Sequence, residues 1–530
     1  MKKFFTLLTV ACASIAAMGT DYNGRLMVVI NGSASPSQEA TISVNKQDNG
    51  KYTLELNNFM LGTGADAMGI GNIRLENTDA TELNGQTGLN TTQNITITEG
   101  NDPNINFWMG PMLGIIPVSV DATMEEGKNL SASIDIPFLS MGMNIKVVFD
   151  SKTFHIGNSD FENFHTATLS SPFGGEPTTS DEPDYWHSFM SASGNPTMVY
   201  LAGYAPHTFI SDIVRPGTTG EKSLLITSVD MGFTIANGTV TTGRINTGST
   251  TAADLANYSW SDMSTTDKDD KGDPFYSLMG GRPDSLTIWA KFKQKEEKAD
   301  FPYATINAVI TDGTFYRDPE DKEYTNVIAK ATNNTIESNN YEWQKITVPF
   351  IYEENGVNAK AIHVTISTNA APGKGSTDSL YVDDLNLIYN CKLTDLTIKG
   401  KGIDLNSGTY NPADNSTAIQ TDDCTGMEVT EDDIQATTNG KGAIVVKNIT
   451  KETNKTYVTI SVISNDLSSF NTYNLTLNGT TGIDTVDDSK ADDSVKAMYD
   501  LNGQKTSTPR SGQIYIMKYN NGKTVKRIKN

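Results

Sequence analysis

The sequence predicts an all-β chain of several modules: a closed barrel, a jelly-roll β-sandwich, an immunoglobulin-like sandwich and a small C-terminal β-domain. Three observations carry this. The dipeptide Asn-Gly, suited to tight hairpin turns with positive φ, begins at residues 23, 31, 49, 84, 237, 355, 439, 478, 502 and 521. Between these turns lie short runs in which apolar and polar residues alternate, and no long stretch keeps a helical period. A length of 530 residues exceeds one ordinary core and divides into several domains.

Residues 1–19 read as a secretory signal peptide. Lys2 and Lys3 precede the apolar run FFTLLTVACASIAAM, and small Ala17 and Gly19 suit a cleavage site. The run is too short and too early for a membrane span, and Thr9 is a poor fit upstream of Cys12 for lipidation. No other stretch reaches the ~18 apolar residues that a spanning helix needs. The expected location is therefore outside the cytosol: secreted, at the cell surface or outer membrane, or in the periplasm. A formal charge of −22 excludes a nucleic-acid partner, which needs a basic footprint. Beyond the signal peptide only Cys391 and Cys424 remain, which either pair in an oxidising compartment or stay as buried free thiols.

Residues 20–152 hold alternating runs. ATISVNKQ and KYTLELNNF flank the turn at Asp48-Asn49-Gly50, and IPVSVDATM, SASIDIPF and NIKVVFD continue the pattern. About eight strands fit, enough for a closed barrel. DYNGRLMVVING, GIGNIRLENT and KVVFD resemble the calycin-like (lipocalin-like) domain of secreted Bacteroidetes proteins. The resemblance implies a barrel able to hold an apolar ligand. Eight methionines between Met27 and Met143 suit either a soft pocket lining or core filler.

Residues 153–390 carry apolar runs (SLLITSVDM, SLTIWAKF, YATINAVI, QKITVPFIY, AIHVTIST) separated by long polar loops, the rhythm of a jelly roll. The succession DFENF, DYWHSF, RPDSLTIWAKF, YEWQKITVPF and SLYVDDLNL resembles a Bacteroidetes domain family named for carbohydrate metabolism. That implies a carbohydrate-module-like fold and a glycan or polysaccharide partner. In SLTIWAKF, Leu286, Ile288, Ala290 and Phe292 alternate inward, which leaves Trp289 on the polar face, suited to stacking on a sugar ring. Trp186, Trp260 and Tyr276 sit in polar stretches and are expected to join it, with Arg282 holding a hydroxyl or carboxylate. Carbohydrate-binding jelly rolls commonly hold a structural calcium between first and last strands. The matching positions here are Glu162, Asp383 and Asp384; both strand faces are partly apolar, so parity alone does not decide between the two aspartates, and Asp383 is preferred. The alternative is that these acids cap turns or pair with basic side chains. The loop TTDKDDKGDPF, residues 265–275, fails as an EF-hand, because Lys271 and Leu278 stand where ligands belong; it reads as a solvated loop.

Residues 391–477, from LTDLTIKG to FNTYNLTLN, fit an immunoglobulin- or cadherin-like sandwich. Residues 478–530 begin with the acidic linker DTVDDSKADDSVK. The ending AMYDLNGQ…GQIYIMKY resembles type IX secretion sorting domains. Four Asp-Ser/Thr-apolar triplets, at 284, 378, 484 and 493, match a Bacteroidetes O-glycosylation pattern.

For chemistry the sequence offers little. The histidines at 155, 165, 187, 207 and 363 show no metal spacing, and no GxSxG, HExxH or P-loop occurs. A glycoside hydrolase needs two carboxylates flanking a bond; Asp184, Asp230, Asp284 and Asp312 are available. A non-catalytic glycan-binding surface protein is thus the leading expectation. A glycoside hydrolase and an adhesin stand as alternatives. Paired acids at the binding face would favour the enzyme.

Overall fold

Asn31-Gly32 makes the kind of turn the sequence predicts. Both residues hold positive φ (50° and 81°), and the two-residue loop pairs Ile30 with Ser33 and Val29 with Ala34. In the computed structural model most of the chain is strand, but several other Asn-Gly pairs do not repeat this turn: Asn23-Gly24 lies inside the strand Thr20–Ile30, and Asn237-Gly238 and Asn439-Gly440 have no positive φ. The structure describes residues 19–480, apart from 63, 65, 66, 84, 139–141, 297, 299, 354 and 355. Beyond them it describes 484–486, 495–499, 505, 506, 514–519 and 524–529. The signal-peptide residues up to 18, the triplet at 493 and the YDLNGQ turn from 500 to 504 lie outside the described residues.

The first domain is a single sheet wrapped into a nearly closed barrel. Its strands run in the order Met68–Thr78, Tyr52–Leu61, Gln38–Lys46, Thr20–Ile30, Met143–Asp150, Asn129–Phe138, Ile115–Glu125, Gln86–Thr96 and Ala80–Leu83. The seam closes where the Asn72 N–H donates to the Thr98 carbonyl at 2.9 Å and the Thr98 N–H returns the bond at 3.3 Å. Alternation decides which side chains face in: Leu130, Ala132, Ile134, Ile136 and Phe138 all enter the core from one strand. The interior is a packed core of aliphatic and aromatic side chains. Of the methionines, Met124 belongs to that core, Met68 and Met112 are exposed, and Met27 points outward. They do not form a common lining.

The second domain is the jelly roll. One sheet contains Thr208–Ser211, Ser223–Thr227, Ser379–Ile388, Ser285–Lys293 and Gln344–Pro349. The facing sheet contains Thr239–Thr241, Ala361–Ser367, Ala304–Thr311, Val327–Ile336 and Ile351–Tyr352, with Ser277–Leu278 at its side. Leu286, Ile288, Ala290 and Phe292 meet Ile306, Ala308, Ile310 and Val364 between them, so the alternation read in SLTIWAKF holds. A four-stranded sheet (Ser193–Gly194, Arg244–Thr247, Tyr258–Ser261, Tyr316–Asp318) lies over the second of these sheets. Beside it is the α-helix Pro196–Gly203. Pro196 opens that helix, and the Asn195 side chain caps it by accepting from the Thr197 and Met198 N–H groups.

The third domain packs Leu393–Ile398 and its neighbours against a five-stranded sheet centred on Phe470–Asn478, around Leu396, Ile398, Val458, Ile460 and Leu475. Cys391 and Cys424 are both buried and free, so of the two readings the unpaired one holds. Four short strands, Asp484–Val486, Val495–Tyr499, Ile514–Tyr519 and Thr524–Lys529, form a separate sheet at the C-terminus. Among the described residues no helix is long and apolar enough to cross a membrane.

The first and third domains also meet directly. Met27, Val29, Ala34 and Val148 on the barrel's outer face pack against Val446, Ile463 and Leu467. The Ala34 N–H donates to Ser461 Oγ at 2.9 Å, and that hydroxyl donates to the Gly32 carbonyl at 2.7 Å. A Cβ on Gly32 would stand 2.8 Å from the Thr459 carbonyl oxygen, so this turn needs glycine twice over, for its φ and for the approach.

A neutral polar cleft in the jelly roll

The candidate site begins as a pattern in three strands. In Ala304–Thr311, Thr305 and Asn307 alternate with Ala304, Ile306 and Ala308, which enter the core. Thr365 and Ser367 do the same in Ala361–Ser367, as do Thr332 and Asn334 in Val327–Ile336. Register brings them together: Thr305 faces Ser367, and Asn307 faces Thr365 on one side and Thr332 on the other. The outer face of this sheet is therefore a ladder of hydroxyls and amides. Thr332 Oγ1 donates to Asn307 Oδ1 at 2.6 Å, which fixes the amide's orientation.

The overlying sheet and helix turn the ladder into a cleft of about 460 Å³, within the usual ~300–1,000 Å³ for a small-ligand pocket. Its other wall is mixed: Phe189, Met198, Ile245 and Tyr258 stand beside Asn246, Thr247, Asn257 and Ser259, and Phe233 stands at the cleft 60% exposed. Asp318 is the single carboxyl in the lining, and no Lys, Arg or His joins it. Burial raises its pKa, opposed by hydrogen bonds from Asn307 and Thr365. The cleft thus presents hydroxyls, amides and one carboxyl interspersed with apolar side chains. That combination fits a ligand with hydroxyls on its edges and C–H groups on its faces.

None of the five residues expected to bind sugar lines this cleft. Trp289 does face outward, but on the opposite sheet, with the Arg215 guanidinium 5.5 Å from its ring centroid. Trp186 is a correction: it is fully buried against Phe161 and donates from Nε1 to the Gly157 carbonyl at 3.1 Å. Trp260 stacks on Phe315 and donates to Ser193 Oγ at 3.3 Å. Tyr276 is half-buried beside the core residue Phe275. Arg282 lies over the Tyr352 ring at 4.8 Å, and its backbone N–H donates to Asn465 of the third domain. Trp186, Trp260 and Arg282 are thus engaged in packing and domain contact.

Nor do the three expected calcium ligands fit a calcium ion. Glu162 Oε1 accepts from the Glu221 and Lys222 N–H groups at 3.0 and 3.2 Å. Asp384 pairs with the Arg215 guanidinium, and Asp383 Oδ2 accepts the Arg215 backbone N–H at 3.0 Å. A guanidinium occupies the place that six to eight oxygens would need. Parity also breaks here. Asp384 has φ 44° in a bulge opposite Ile288, so Asp383 faces outward with Tyr381 while Leu385 returns to the core. Asp383, 2% exposed, has its carboxyl pushed up to about 6, chiefly by burial and further by the Asp384 charge.

The acids expected for hydrolysis are dispersed. Asp184 binds His165 and Lys271. Asp230 and Asp312 cap turns at Gly232 and Thr314. Asp284 joins two domains, accepting from Asn390 N–H at 2.6 Å and Lys441 N–H at 2.7 Å. The triplets at 284 and 378 begin strands, with Ser285 and Ser379 paired in the sheet and partly exposed.

Fold and cleft together define a modular all-β protein with a hydroxyl- and amide-lined pocket, holding one carboxyl, in its second domain. Residues 18–152 match the calycin-like beta-barrel domain family, so the first domain is a calycin-like barrel. Among solved structures, one similar chain is described as "a putative outer membrane protein" from Bacteroides fragilis. It is 9% identical, with 66% of this chain and 97% of that chain covered and a TM-score of 0.18. Another is the M60 catalytic domain with two CBM51 domains of Clostridium perfringens ZmpB, 9% identical, with 94% of this chain and 39% of that chain covered and a TM-score of 0.15. Likenesses this slight carry nothing over to this chain. No curated protein matches it.

Proposed function

We propose that the chain is an exported surface protein that binds a neutral glycan in the jelly-roll cleft. The observation that carries this is the cleft's lining: a ladder of Thr, Ser and Asn side chains facing aromatic and aliphatic ones, with one carboxyl. A glycoside hydrolase works with two carboxyl groups about 5–9.5 Å apart. The single Asp318 supports binding over hydrolysis. Export rests on the signal-like N-terminus and the sorting-like ending. The calycin-like barrel, with its filled interior, serves in this reading to position the jelly roll.

The test is a glycan array on the full chain, followed by calorimetry with any sugar that binds. Asn307→Ala should weaken binding at least ~10-fold, the loss of one or two oriented hydrogen bonds. Trp289→Ala, on the opposite sheet, should leave it unchanged. Loss with Trp289→Ala alone would move the site to the other face. Silence of a folded chain on a broad neutral-glycan array would sink the reading.

A further inference from the structure

Four side chains that no part of the cleft uses converge beside its wall. His165 and Glu182 are cross-strand partners in the pair Phe164–Leu169 and Thr178–Pro183. His187 follows, fixed by two backbone bonds to Thr241, at 2.8 and 2.9 Å. The fourth is Asp269, from the loop that the sequence reading left in solvent. Glu182, His187 and the Asp269 side chain are fully buried, and the His165 side chain is 8% exposed.

Each carboxylate is held by one oxygen and aimed by the other. Glu182 Oε1 accepts from the Ser188 N–H, at 2.6 Å, and from the Ser188 and Ser191 hydroxyls. Asp269 Oδ1 accepts three backbone N–H groups, from Lys271, Gly272 and Asp273, at 3.0, 2.8 and 2.7 Å. Glu182 Oε2, Asp269 Oδ2, His165 Nε2 and His187 Nε2 are buried without a hydrogen-bond partner. Yet they stand close together. Asp269 Oδ2 is 3.5 Å from His165 Nε2 and 3.4 Å from His187 Nε2, and Glu182 Oε2 is 3.9 Å from His165 Nε2.

Two carboxylate oxygens and two ring nitrogens left orphaned in a dry interior would be costly. Around a tetrahedral zinc ion with bonds of ~2.0–2.2 Å, ligand atoms stand about 3.3–3.6 Å apart. Of the four carboxylate–imidazole separations, two fall there, His165–Glu182 is longer at 3.9 Å, and Glu182–His187 is longer still. One imidazole has a fitting outer partner, whereas His187 Nδ1 is buried without one. His165 Nδ1 lies 3.1 Å from Asp184 Oδ1, and Lys271 Nζ donates to Asp184 Oδ2 at 2.7 Å. A metal-bound imidazole is characteristically oriented by a carboxylate at its second nitrogen.

We infer that His165, Glu182, His187 and Asp269 form a structural metal site for a first-row divalent cation, with zinc best matched to the donor set and separations. Imidazole and carboxylate donors exclude a thiophilic ion. Four protein ligands and full burial leave no open position, so the ion ties segments together and does no chemistry. It fastens the loop around Asp269 to the strand pair and to the segment that runs on through Phe189 into the cleft wall.

The experiment is elemental analysis of the full chain as purified, then Zn²⁺ titration of the chelator-stripped protein by competition with a chromogenic chelator. About one equivalent per chain is expected, with a fall in melting temperature on stripping and recovery on adding Zn²⁺. His165→Ala with His187→Ala should abolish binding. Asp184→Asn, which leaves all four ligands in place, should keep the fold and weaken affinity about 10- to 100-fold. One equivalent of another divalent ion lost in the double variant would support the site and change its ion. Absence of metal as purified together with no saturable Zn²⁺ uptake would overturn the inference. So would metal retained at full stoichiometry in the double variant.

Discussion

Asp383 shows how a single carboxyl reports on its surroundings. Its pKa in the fold lies near 6, raised by burial and by the neighbouring Asp384 charge, whereas an unfolded aspartate titrates near ~3.9. The native state therefore binds the extra proton between those values. Charged Asp383 costs the fold stability above about pH 6, and the cost disappears as pH falls towards about 4. Asp383→Asn should therefore stabilise by roughly 2 kcal/mol at pH 8, with the gain shrinking to nothing near pH 4 in urea denaturation. A gain independent of pH would show that the carboxyl is not strained by its charge. The same residue marks where sequence reasoning fell short. Carboxylates in an apolar strand did require a partner, but the partner is Arg215, 168 positions away from Asp383, which no local pattern reveals.

At the scale of elements, period-two alternation was the reliable guide. It placed Leu286, Ile288, Ala290 and Phe292 inside and Trp289 outside. Applied to YATINAVI and AIHVTIST, it would also have exposed the Thr305, Asn307, Thr365 and Ser367 ladder, which searching for aromatic residues passed over. Irregular segments defeated it. Trp186 looked solvent-facing in DYWHSF, yet its indole fills the core beside Phe161. His165 and His187 looked scattered because they meet at Asp269, which comes from a loop far along the chain from both. Turns that join domains were equally opaque. Asp284 looked like a candidate acid or glycan acceptor and proves to staple the jelly roll to the third domain through Asn390 and Lys441. Removing it leaves two N–H groups without their acceptor, at ~1–3 kcal/mol for the pair. Asp284→Ala should lower the melting temperature and speed proteolysis near residue 390, while glycan affinity stays unchanged. An unaltered proteolysis pattern would deny the staple.

For the whole molecule, the contact between first and third domains determines how the chain holds together. Seven buried apolar residues meet there, and a charge among them would be left without a partner. Leu467→Asp should split one cooperative unfolding transition into at least two in calorimetry, with the barrel melting separately. A single unshifted transition would mean that the domains are fastened elsewhere. The jelly roll between them begins and ends in one place: Phe154 and Tyr389 meet edge to face at 5.9 Å, and the Tyr389 hydroxyl donates to the Phe154 carbonyl at 2.8 Å. Topologically it is a cassette. A short linker from residue 152 to residue 391 would excise it without cutting the clasp beneath, so recombination can exchange the jelly roll while the barrel and sandwich persist as a chassis.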